Sequence, residues 1–116
     1  MAEPVFDAED TLVRLGDDHE LFAELVESFR RDSLRGLSEI RRSVSEKDAR
    51  GLALAAHTLR GVVSIFASAP AIRATQALES AGRSGVTDVA SLLATLEDVI
   101  TQLNTALLAY NDQVTH

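Results

Sequence analysis

Apolar residues recur along this chain at intervals of three and four, and breaks in that recurrence divide it into five helical segments. Leu12, Val13 and Leu15 give a short first segment its apolar face. Asp7 is placed to cap its start and Gly16 to end it, because glycine accepts positive φ at little cost. Asp17-Asp18-His19-Glu20 restarts the chain, with Asp17 and Glu20 spaced like a capping box. Phe22, Leu25, Val26 and Phe29 follow at helical spacing, continued by Leu37, Ile40 and Val44. A third helix is predicted over 46–67, where Leu52, Ala56, Leu59, Val63 and Phe66 form a core stripe. Ser68-Ala69-Pro70 interrupts it, and proline is tolerated in the first turn of the next helix. That helix carries Ile72, Thr75, Leu78 and Ala81 and ends near Gly82 or Gly85. Thr87 or Asp88 is expected to cap the last, whose Val89, Leu92, Leu96, Val99, Leu103 and Tyr110 form a near-heptad series, with Leu107 filling its turn.

No alternating β-branched run or Asn-Gly hairpin signal competes with this pattern. The prediction is an all-α protein, an antiparallel four-helix bundle with a short additional N-terminal helix. It divides into an N-terminal tail at 1–6, a bundle domain at 7–110 and a frayed C-terminal tail at 111–116.

Composition narrows the function. With 116 residues the chain suits one domain and leaves little room for a nucleotide-binding fold. The formal charge is −7, and the arginines are scattered among more numerous acids, which argues against nucleic acid as a partner. The run Arg30, Arg31, Asp32, Arg35, Arg41 and Arg42 reads as a solvated face. Without cysteine there are no disulfides, no thiolate catalysis and no zinc-thiolate site. No apolar run approaches a membrane span and Met1-Ala2-Glu3-Pro4 does not look like a signal peptide, so a cytoplasmic location is expected.

One histidine stands apart. On a helix turning ~100° per residue, His57 lies about 140° from the core stripe, Ser64 about 120°, Gly61 about 180° and Arg60 about 80°. His57 should therefore face solvent among the small residues Ala53, Gly61 and Ser64. A glycine inside a helix costs about 1 kcal/mol relative to alanine, so Gly61 reads as clearance for an approaching protein. Leu54 and Ile65 also point away from the core, either as an apolar docking patch or as a seat for the first helix. His19, in a first turn, and His116, the last residue, carry no such pattern. No two histidines are spaced i, i+4, so no metal site is expected.

His57-Thr58-Leu59-Arg60-Gly61, followed by Phe66-Ala67-Ser68, resembles the signature of histidine-containing phosphotransfer (HPt) domains. There the phosphorylated histidine is followed by leucine two residues on, lysine or arginine three on, and glycine four on. Leu15-Gly16-Asp17-Asp18-His19-Glu20-Leu21 with Phe29, and Gln76-Ala77-Leu78-Glu79-Ser80-Ala81-Gly82-Arg83, extend the resemblance over about 7–110. Three departures stand out. Val62-Val63 replace small polar residues, Ala67-Ser68 stand where the family usually has Gly-Ala, and Arg60 replaces the commoner lysine.

The resemblance implies a phosphorelay intermediate that accepts a phosphoryl group on His57 from a receiver-domain aspartyl phosphate and passes it to another receiver. Imidazole is nucleophilic when neutral, and phosphoryl transfer needs mainly positioning and charge stabilisation. Arg60 would offset phosphoryl charge, Gly61 would give clearance and Ser64 would line the site. Glu79 would accept from Nδ1–H of His57 and leave Nε2 to react, or else form a surface pair with Arg83. The expected partners are response-regulator receivers and a hybrid histidine kinase, with Mg²⁺ held by the receiver and no cofactor or metal on this chain. The chain itself would be a monomeric phosphocarrier without kinase activity, free-standing or part of a hybrid kinase. The alternative is a helical module that binds receivers without transfer.

Overall fold

The computed structural model describes residues 4–115. Within them are five helices: α1 (Ala8–Arg14), α2 (His19–Ser45), α3 (Ala49–Ser64), α4 (Ala69–Arg83) and α5 (Ala90–Thr115). No strand occurs among the described residues. Residues 1–3 of the expected N-terminal tail, and His116, lie outside that range. α2 packs on α3 and α5, and α4 packs on the same two helices. The four long helices thus close around one core as the predicted bundle.

The apolar stripes set how each helix is rotated. In α3, Leu52, Ala56, Leu59 and Val63, with Phe66 in the turn just after it, are all essentially sealed from solvent. Burying each of the larger of these side chains stabilises by ~1.5–3 kcal/mol, so turning α3 away from this orientation would expose several at once. Phe22, Val26, Phe29, Leu37 and Ile40 do the same for α2, while Leu25 and Val44 are only partly buried. In α5 the buried set is Leu96, Ile100, Leu103 and Leu107, joined by Val89 just before the helix, with Leu92, Val99 and Tyr110 at its margin. Ile100 enters the core in place of Val99 because a helix drifts away from a strict heptad along its length.

Several boundaries differ from the sequence pattern. Asp18, not Asp17, caps α2, accepting from the Leu21 N–H at 2.9 Å. Asp17 instead extends the left-handed turn begun by Gly16, at φ 58 and 66. α3 begins at Ala49 rather than 46, since Glu46 closes α2 and Asp48 caps α3 by accepting from Gly51 at 2.9 Å. Neither Thr87 nor Asp88 takes the cap position of α5: the Val89 carbonyl accepts from Leu93 N–H at 2.8 Å, so Val89 stands there. Residues 111–115 continue α5 rather than forming a separate tail.

Aromatic rings close one end of the bundle. Phe6 meets Tyr110 edge-on at 5.7 Å, Tyr110 meets Phe22 at 5.6 Å, Phe22 meets Phe66 at 6.1 Å and Phe66 meets Phe29 at 5.3 Å. This chain of contacts uses all four phenylalanines and the one tyrosine of the protein. Phe6, the outermost ring of this series, and Val5 both pack against the core, so part of the expected tail is seated on it. Arg14 of α1 donates to the Ile65 carbonyl at 2.8 Å, and the Asp7 N–H to the Phe66 carbonyl at 3.3 Å. Together these hold α1 against the end of α3.

Candidate functional site

His57 is the ninth residue of α3's sixteen, and its side chain is 56% exposed. Its orientation follows from the core stripe, which buries Ala56 and Leu59 on either side of it in sequence. Gly61 and Ser64 are exposed on the same face, Arg60 lies at its edge and Ala53 is half-buried. These are the positions expected from the helical angles.

The neighbouring helix completes the site. A Cβ placed on Gly82 of α4 would lie 2.6 Å from the Ala53 nitrogen and 2.7 Å from the Ala49 carbonyl oxygen, both backbone atoms of α3. Only glycine allows the two helices to come this close. Glu79, three residues earlier on α4, is thereby carried beneath the His57 ring, where its side chain is only 4% exposed. The sequence pattern places Gly82 near a helix end, and its contact role shows only in the packed pair.

The two oxygens of Glu79 are shared among three side chains. Oε2 lies 3.0 Å from His57 Nδ1 and also accepts from Arg83 Nη2 at 2.5 Å. Oε1 lies 3.3 Å from Arg60 Nε. Arg60 Nη2 is itself 3.0 Å from His57 Nδ1. In neutral imidazole Nδ1 either donates or accepts, so it cannot hydrogen-bond to both a carboxylate and a guanidinium. A bare Nδ1 lone pair facing a buried carboxylate oxygen would be repulsive. The arrangement therefore favours Nδ1–H donating to Glu79, with Arg60 held through Oε1. Both of these close contacts involve Nδ1, and the reactive lone pair is then on Nε2.

All five residues expected at the site fall on one patch, with different parts. Glu79 reaches both His57 and Arg83, so the two alternatives posed for it coexist, but it is buried and not a surface acid. Ser64 turns its hydroxyl to the Arg60 carbonyl at 2.7 Å and lies in a hollow with His57, Arg60 and Gly61. A Cβ on Gly61 would meet nothing within 4 Å, so the chain's own packing does not require a glycine there. A second hollow on the other side of the ring is lined by Arg50, Ala53, Leu54 and Arg83. Leu54 is 68% exposed and also lines a groove between α2 and α3. Ile65, in contrast, is tied to α1 through its carbonyl.

Arg83 was visible in the sequence only as a possible helix-surface partner of Glu79. The signal for more was the series Thr75, Glu79, Gly82, spaced along one face of α4 and buried throughout. Among the described residues no cluster of three or more histidine or acidic side chains is arranged to hold a metal ion. Nor is any helix long and apolar enough to cross a membrane. What the site offers is one exposed imidazole with its inner nitrogen engaged and guanidinium groups beside it.

Comparison with known proteins bears on the family and the fold. The family model for the Hpt domain matches residues 24–111. A crystal structure of histidine-containing phosphotransfer protein B (HptB) from Pseudomonas aeruginosa PAO1 superposes with a TM-score of 0.88 at 18% sequence identity, covering 97% of this chain and 98% of that one. No curated protein sequence matches the chain.

Proposed function

The chain belongs to the Hpt domain family and serves histidine phosphotransfer in a phosphorelay, and within that role we propose that His57 is the phosphoacceptor. The observation that carries this is the half-exposed imidazole whose Nδ1 is engaged by the buried Glu79 carboxylate. The Nε2 lone pair attacks the phosphorus of a receiver's aspartyl phosphate. The Nε2–P bond forms as the P–O bond to the aspartate breaks, and the aspartate leaves as a carboxylate. Positive charge develops on the ring as Nε2 gives up its lone pair. Glu79, already hydrogen-bonded at Nδ1, stabilises that charge without having to reorganise. Arg60, at the edge of the exposed face, offsets negative charge on the incoming phosphoryl group. Return of the group to a second receiver is the same step reversed.

Gly61 and Leu54 fit an approach by another protein. Gly61 leaves the surface beside the ring bare, and Leu54 offers an apolar contact next to it. The receiver would supply the aspartate and its Mg²⁺, and this chain would act as a monomeric, cytoplasmic phosphocarrier between receivers of a hybrid kinase and a response regulator. A receiver-binding module without transfer would not need an imidazole oriented this way.

The test is incubation with a phosphorylated receiver domain and Mg²⁺. Acid-labile label should move to the wild-type chain and not to His57→Gln, and label persisting on the variant would reject the site. Labelling of the purified chain by ATP alone would reject the phosphocarrier assignment.

A further inference from the structure

We propose that Arg83 is a positioning residue that fixes which nitrogen of His57 carries the proton, by holding Glu79 Oε2 against Nδ1. The proposal rests on the reading of His57 as phosphoacceptor and extends it to a residue that does not touch the ring. Arg83 follows Glu79 by one helical turn, and pairs of this spacing are common on helix surfaces. This one is unusual in its asymmetry: Glu79 is 4% exposed and Arg83 68% exposed, and the oxygen they share is the one facing the histidine.

The need for Arg83 comes from a competitor already in place. Arg60 reaches toward both groups, with Nε 3.3 Å from Glu79 Oε1 and Nη2 3.0 Å from His57 Nδ1. A guanidinium prefers to grip a carboxylate with two parallel bonds. If Glu79 were free to rotate about its terminal bond, Arg60 could take both of its oxygens. Nδ1 would then accept from Arg60, the proton would sit on Nε2, and the outward nitrogen would lose its nucleophilic lone pair. Arg83 opposes that rotation, because Oε2 must leave it to make the turn. With Oε2 accepting from Arg83 and from Nδ1–H, and Oε1 facing Arg60, the carboxylate has one orientation that satisfies all three.

Two measurements test this in the intact chain. The first reads the ring nitrogens of ¹⁵N-histidine-labelled, unphosphorylated protein by long-range ¹H–¹⁵N correlation. Wild type should be in the Nδ1–H form. In Arg83→Gln the ratio of Nδ1–H to Nε2–H should fall by about five-fold, the equivalent of one net hydrogen bond. Arg83→Lys should restore most of the ratio. Arg50→Gln, which removes another arginine of the same hollow, should leave it within about two-fold of wild type, well under one hydrogen bond's worth. The second uses potassium phosphoramidate as donor: an N–P bond forms on the ring, the donor's P–N bond breaks, and ammonia leaves. By ³¹P spectra, wild type should carry the Nε2 isomer and Arg83→Gln a mixture with the Nδ1 isomer.

An Arg83→Gln tautomer ratio indistinguishable from wild type overturns the proposal, as does an equal fall in Arg50→Gln. If wild-type His57 takes no phosphoryl group, the acceptor reading fails, while the spectra of the unmodified protein still decide the part played by Arg83.

Discussion

Glu79 shows how much of this site depends on one side chain being in an unexpected place. A buried carboxylate is costly unless paired, and removing one partner of a buried pair costs ~3–5 kcal/mol because the other charge is stranded. Here the compensation comes from Arg60 and Arg83, with the imidazole as a third contact. The exposure of His57 was legible in the sequence, because the spacing of Leu52, Ala56, Leu59 and Val63 fixes the direction of every other residue on α3. The burial of Glu79 was not, since a lone acid among Ile72, Leu78 and Ala81 defaults to solvent. The resemblance implies only its contact with His57, and the burial shows in the packed helices alone. Gly61 offers a sharper test of function against structure. Because a Cβ there meets nothing, Gly61→Ala should raise stability by about 0.5–1 kcal/mol through helix propensity. The same variant should slow phosphoryl transfer about ten-fold or more by crowding the partner's approach, as misplacement of reacting groups by about 1 Å can cost far more than that. Chemical denaturation and transfer kinetics on one preparation check both. Transfer at the wild-type rate would remove the clearance role.

The helices carry two further consequences. α4 buries Ala71, Thr75, Leu78, Glu79 and Gly82, so much of its buried surface is small or polar. Apolar periodicity finds Leu78 but not Gly82, whose importance lies in the backbone of α3 rather than in any side chain. Gly82→Ala should destabilise the bundle by about 1–3 kcal/mol, the usual cost of overpacking, and should weaken transfer by moving Glu79 away from His57. A variant with unchanged denaturation midpoint and unchanged transfer would mean the helices can separate freely. At the other end of α3, Ala67 sits at φ 52, in the left-handed region where L-residues are strained. By the resemblance, this is a position where the family usually carries glycine. Ala67→Gly should relieve strain and stabilise by about 1 kcal/mol, read from the same denaturation curve. A loss of stability would contradict the strain. At the start of α2 two acids stand in a row and local spacing does not say which one the turn will present, whereas at α5 the buried Val89 takes the cap position in place of Thr87 or Asp88.

For the molecule as a whole, the bundle followed from its stripes, but the closure of its end did not. Phe6, Phe22, Phe29, Phe66 and Tyr110 are far apart in sequence, and only the assembled fold brings them edge to edge. Phe66 touches two of the others and is fully buried, so Phe66→Ala should cost about 3–5 kcal/mol. That is a large share of the ~5–15 kcal/mol that holds a domain of this kind folded. Urea denaturation followed by circular dichroism would show it, and a loss below about 1 kcal/mol would mean the ring cluster is not part of the core. His57 lies earlier in the chain, in the middle of α3. A milder Phe66→Leu, if folded, should therefore keep its phosphoryl acceptance, separating the scaffold from the chemistry.

The most direct measurement is to locate the phosphoryl group itself. The intact chain, charged by a phosphorylated receiver and kept at neutral to alkaline pH, would be digested and sequenced by tandem mass spectrometry. One phosphoryl group per chain, on His57, is the predicted result. A group on His19, on an acidic side chain or on no residue of this chain would contradict it.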